Sequence, residues 1–95
     1  MAELVLHLKK EYFEKIKSGK KKMEFRLRTP YWQRRLVNRE YDIIRLQCGY
    51  PKHGDKENEI LCRFKGYRPM VIIHPHFGKK PVRVFGIPVD ARITN

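Results

Sequence analysis

The sequence predicts an α+β domain: a small mixed β-barrel of five to six strands with two short helices. Three observations point there. Strand-like runs are short and alternate apolar with polar residues, both helical segments precede Asn38, and helices and strands alternate too irregularly for a parallel βαβ sheet. Ninety-five residues hold one hydrophobic core and are too few for two units that each fold unaided, so a single domain over residues 1–95 is expected. Closing the sheet would also remove the edges that a short β-rich domain must protect.

Residues 4–8 form a short apolar run interrupted by His7, which reads as a buried first strand. Tyr12, Phe13 and Ile16 then fall on one side at helical spacing within residues 10–17, and Ser18-Gly19 supplies the stop. From Lys22 the alternation is strict. Met23, Phe25 and Leu27 are expected on the core face, with Lys22, Glu24, Arg26 and Arg28 on a charged face. Thr29-Pro30 is an N-cap followed by a proline at the first helical position, where a missing N–H costs nothing, and Asn38 ends this second helix. Residues 43–48 and 59–65 have strand composition, with Ile44, Leu46, Cys48, Ile60, Cys62 and Phe64 inward, and are expected to pair. Between them, residues 49–58 form a long polar loop, expected to be mobile and able to serve in binding. Residues 70–73 and 82–93 supply the last strands, the latter broken by Gly86 and Pro88 as at a bulge or an edge.

Twenty-two Lys and Arg against ten Asp and Glu give a net charge of +12 and a pI near 10.1. Such a surface predicts an anionic partner, and phosphate backbones are the commonest polyanion available to it. RNA or a single nucleotide is the expected partner, with DNA as the alternative polyanion. No stretch approaches the roughly 20 apolar residues of a membrane span, and the start lacks the basic-then-apolar layout of a signal peptide, so a cytoplasmic monomer without membrane contact is expected. Cys48 and Cys62 match no zinc spacing and read as small hydrophobes. His74-Pro75-His76 places two imidazoles close together, but two ligands do not make a metal site, and His7 and His53 add no acidic partner; neither metal nor cofactor is implied.

The chemistry-bearing segment is residues 18–28, where Lys20, Lys21, Lys22, Arg26 and Arg28 surround the single carboxylate of Glu24. Repelling cations on one strand are costly unless a carboxylate pairs with them or a polyanion covers them. Glu24, held between Lys22 and Arg26, is expected to stay ionised as an organiser or a base, and crowding by Lys20, Lys22 and Arg26 predicts a lowered pKa for Lys21. Tyr31, Trp32, Arg34 and Arg35 follow shortly, the residue types that stack on bases and grip phosphates. For Trp32, burial in the core is the competing expectation.

These blocks resemble the ASCH domain, a PUA-like barrel associated with RNA. The resemblance runs through Ser18-Gly19-Lys20-Lys21-Lys22-Met23-Glu24-Phe25-Arg26, Thr29-Pro30-Tyr31-Trp32-Gln33-Arg34-Arg35-Leu36, Cys48-Gly49-Tyr50-Pro51 and His74-Pro75-His76-Phe77-Gly78, and is nearest to small phage and prophage members. It implies that Gly19 makes the turn and that Lys21, Glu24 and Arg26 line a nucleotide cleft as the candidate catalytic set. Lys20, Lys22, Arg28, Tyr31, Trp32, Arg34, Arg45 and Tyr50 are the candidate nucleic-acid contacts. Some members resemble ribonucleases, and a related type deacylates acetylated cytidine with a lysine, a threonine and a glutamate. Lys21 matches that lysine, Glu24 stands where the threonine belongs, and no motif supplies the glutamate. The expected order is therefore RNA binding, then metal-independent ribonuclease action with Lys21 or Glu24 as base and Arg26 stabilising the phosphate, then amidohydrolase action. The rival of another class is a phage accessory protein that binds a host protein through its basic face.

Overall fold

The structure, a computed structural model, describes residues 2–52 and 54–94. His53, within the predicted loop, lies outside the described residues. Six strands and two α-helices follow in the order β1 (Glu3–Leu8), α1 (Lys10–Lys17), β2 (Met23–Leu27), α2 (Pro30–Leu36), β3 (Ile43–Cys48), β4 (Glu59–Arg63), β5 (Arg68–Ile72) and β6 (Val82–Pro88). Single 3-10 turns at Lys56–Asn58 and Pro75–Phe77 interrupt the connections before β4 and β6. The α+β class is as the sequence predicts, and the fold is consistent with a PUA-like domain.

Among the described residues the sheet does not close into a barrel. One sheet has the order β1-β3-β4, with β1 parallel and β4 antiparallel to β3; the other, fully antiparallel, has the order β2-β6-β5. Apolar side chains at alternate strand positions fill the space enclosed by these elements: Leu4, Leu6 and Leu8 from β1, Ile44 and Leu46 from β3, Ile60 and Cys62 from β4, Phe85 and Ile87 from β6. Phe13 and Ile16 of α1 and Leu36 of α2 seal this core. Cys62 donates its thiol to the Val89 carbonyl at 3.1 Å, and burial pushes its pKa up to about 11, which suits a packing residue and not a nucleophile.

Both helices end where local chemistry dictates. In α1 the chain reverses at Gly19, whose φ of +84° favours a residue without a Cβ, and Lys21 N–H then returns to the Lys15 carbonyl at 3.0 Å. The Thr29 hydroxyl accepts from Trp32 N–H at 3.3 Å at the start of α2, Pro30 occupies the first turn, and Asn38 takes the left-handed conformation just beyond the helix, as expected.

Three expectations about the second sheet are corrected. The alternation in β2 is real, but the charged face is not the solvent face: Glu24 is buried at 6% exposure, Met23, Phe25 and Arg26 are half-buried, and Leu27 is 37% exposed. Periodicity separates two faces of a strand without saying which is inward, and here the charged face is satisfied internally. Gly86 marks neither a bulge nor an edge, since β6 is the central strand, paired with both β2 and β5. A Cβ at Gly86 would sit 2.6 Å from the Met70 sulfur and 2.8 Å from the Met23 sulfur, so its place is explained by side chains crossing directly over the backbone. The strand ends at Pro88 and does not run to Ile93; residues beyond it return beside β4 through a Cys62–Arg92 bridge and an Ile93 N–H to Leu61 carbonyl bond.

Candidate functional site

Between β2, the end of β1, the two helices and the Pro75–Phe77 turn lies an open cleft of about 480 Å³, within the range of small-molecule sites. Its floor is an ion-paired triad. Glu24 Oε1 lies 3.1 Å from the Lys21 ammonium and Oε2 accepts from Arg26 Nη2 at 2.9 Å. The same Arg26 nitrogen donates to the His7 carbonyl at 2.9 Å, tying β2 to β1, while the guanidinium carbon sits 5.1 Å from the Trp32 ring centroid. Arg26 Nε is buried without a partner among the described residues. The walls are aromatic: Tyr12 and Phe25 flank the Lys21 ammonium at 4.6 and 5.5 Å, Tyr31 and Trp32 meet edge-to-face at 5.1 Å, and His74, His76 and Phe77 close the far side.

The sequence folds this way for local reasons. The Gly19 reversal drops Lys21 back over Tyr12 on α1, and the Thr29 cap starts α2 directly after β2, so that Trp32 lands against Arg26. A carboxylate between two cations satisfies the charge that the strand carries inward, as buried charge requires.

Lys21, Glu24 and Arg26, the expected catalytic set, therefore do meet in one cleft, but with different partners than the spacing suggested. Glu24 pairs with Lys21 instead of Lys22, which is exposed and lies outside the cleft. The Lys21 ammonium lies 5.5 Å from the Phe25 ring and is ion-paired with the Glu24 carboxylate. Tyr31 and Trp32 line the cleft; Tyr31 is 52% exposed, whereas Trp32 is half-buried against the core, in line with the packing expectation.

Other candidates stand elsewhere. Arg28 donates to the Val84 and Met70 carbonyls, each at 3.1 Å, so it braces β5 and β6, and it lies outside the cleft lining. Arg45 spends its guanidinium on Glu3, at 2.8 and 3.1 Å, and on Glu59; this pairing holds the Glu3 carboxyl below its usual range and raises the Arg45 pKa. Lys20 and Arg34 are exposed, form no ion pair among the described residues, and lie outside the cleft. Tyr50, 86% exposed, stacks on His7 at 4.2 Å, at the cleft rim.

Sequence reasoning missed Tyr12, Phe25, Thr29 and Phe77 as lining residues and did not connect the His74-Pro75-His76 turn with the charged strand. Nothing in local spacing carries that long-range juxtaposition. Among the described residues no group of three or more His, Cys, Asp or Glu gathers as a metal site. No helix among the described residues is long and apolar enough to cross a membrane.

A family model, that of the ASCH domain, matches residues 6–66. The chain belongs to the ASCH domain family. Comparison with curated proteins and with solved structures gives no match. The matched region of this ASCH domain includes the whole triad, both helices and the Tyr31-Trp32 wall, while the histidine turn and β5 and β6 follow it in the chain. Membership links the chain to RNA binding in general terms.

Proposed function

We propose that this ASCH domain binds single-stranded RNA by taking one nucleotide into the cleft, with the base against the aromatic walls and the phosphate toward Lys21 and Arg26. The observation that carries this reading is a cationic triad at the floor of an aromatic-walled cavity. Base–aromatic stacking contributes about 1–3 kcal/mol per base, and the cleft's three cations, Lys9, Lys21 and Arg26, outnumber its one carboxylate, Glu24. Lysine has three donors and arginine five, so pairing with Glu24 leaves donors for a phosphate. Exposed Lys20, Lys22 and Arg34 add the longer-range field that draws a polyanion in.

Metal-independent ribonuclease action is a second reading, favoured by one further observation: Glu24, His74 and His76 line the same cleft as the cations. Acid–base groups would then stand within one ligand's reach of the charges that stabilise a phosphate.

One gel tests both. Purified protein and its Lys21→Ala variant are incubated with a labelled mixed-sequence RNA in EDTA across a salt series, and retardation and cleavage are read together. Salt-sensitive retardation that weakens in the variant supports the binding reading, and cleavage by the wild type alone adds ribonuclease action. Absence of both from the wild type would contradict the proposal and turn attention to modified nucleosides or a protein partner.

A further inference from the structure

His74 lines the cleft, packed among the rings of Tyr12, Phe25 and Phe77 at centroid distances of 5.8, 6.3 and 5.9 Å. Its Nδ1 accepts from the backbone N–H of His76 at 3.1 Å, capping the 3-10 turn that Pro75 begins. A ring nitrogen that accepts carries no proton, so the neutral imidazole must carry its proton on Nε2. That nitrogen makes no hydrogen bond among the described residues and is not fully buried, and its side chain lines the cleft.

Resting on the nucleotide-binding reading of the cleft, we propose that His74 holds its Nε2–H as a fixed hydrogen-bond donor for an acceptor atom of the bound nucleotide. The turn sets the tautomer and the aromatic packing sets the ring plane, so donor and direction are fixed before the ligand arrives. Preorganisation of this kind cuts the ordering cost of binding.

The surroundings keep the ring neutral. Burial lowers its pKa from the ordinary imidazole value, and the positive charges of Lys21 from the turn before β2, His76 from its own turn and Lys15 from α1 act in the same sense; Glu24 of β2 opposes them. Tyr12, the remaining titratable group packed on it, keeps its proton, its pKa being raised first by burial and then by Glu11 and Glu24. A metal role for the turn is disfavoured by the same geometry, because Nδ1 of His74 is already engaged.

The test pairs two variants with one spectrum. His74→Gln keeps an N–H near the Nε2 position, whereas His74→Phe keeps the ring shape without a donor. Calorimetric titration with the four nucleoside 5′-monophosphates should show about a tenfold loss for the Phe variant, the scale of one hydrogen bond, and a much smaller loss for the Gln variant. Long-range 15N–1H correlation at pH 7 should show His74 neutral with its proton on Nε2, and that nitrogen should shift on adding nucleotide. Wild-type affinity in the Phe variant, or a proton on Nδ1, would overturn this proposal while leaving the cleft reading intact. Absence of nucleotide binding by the wild type, with no shift at His74, would overturn both.

Discussion

The Arg26 guanidinium lies across the Trp32 ring at 5.1 Å while the same side chain is paired with Glu24 at 2.9 Å. Two adjacent elements, β2 and α2, are thereby joined through a charge that is stacked on one side and neutralised on the other. Glu24 is the hinge of that arrangement, since it also holds Lys21.

Glu24→Gln should destabilise the domain by about 1–3 kcal/mol, because two half-buried cations would then face each other without their carboxylate. Urea unfolding should show the midpoint lowered with the slope unchanged; an unaltered midpoint would mean that the triad adds nothing to the fold. This differs from the expectation drawn from alternation alone, in which Glu24 lies on a charged face away from the core.

Arg34 and Arg45 should separate cleanly in RNA affinity. Arg34, exposed on α2 and without an ion pair among the described residues, should weaken binding when changed to Ala and lower the salt-dependence slope by about one. Arg45→Ala should leave affinity almost unchanged, because that charge is already taken by Glu3 and Glu59, and should cost up to about 1 kcal/mol of stability as a partly exposed network. Electrophoretic titration of both variants at two or more salt concentrations checks the pair, and equal losses would contradict the assignment.

Stability should fall as the solution is acidified below about pH 6.5. His74 is held below its ordinary pKa of 6.5, so between the folded and unfolded values the unfolded chain binds more protons and protonation favours unfolding. Above that window both states are neutral at His74 and the residue contributes no pH dependence. Thermal melts from pH 8 to pH 5 should show a decline that is reduced in His74→Gln; an identical decline in the variant would assign the effect to other groups.

Much of the fold was legible because it rests on local chemistry. The Thr29-Pro30 start of α2, the Ser18-Gly19 stop of α1 and the pairing of β3 with β4 each depend on neighbours or on a clear period of two. What failed was the choice of inward face in β2. Met23, Phe25 and Leu27 are the apolar set, yet burial of Glu24 is tolerable only because Lys21 and Arg26 reach it, and that partnership forms in three dimensions. Gly86 misled for a related reason: a glycine in a strand reads as a bulge or an edge, and the two methionines that cross over it come from other strands. Charge density singled out the segment that carries the triad, the family resemblance picked its three residues, and residue type pointed to Tyr31 and Trp32, while the aromatic walls drawn from α1, β2 and the Pro75–Phe77 turn were not foreseen.

Trp32 is the sole tryptophan of the chain and lines the cleft, so its intrinsic fluorescence is the most direct probe of the central claim. Titration with a short single-stranded RNA at low salt should change the emission saturably, and Lys21→Ala should shift that curve to higher RNA concentration by about tenfold, the scale of a charge-assisted contact. RNA that is retarded on a gel without altering Trp32 emission would place the contact on the outer basic surface and contradict binding in the cleft.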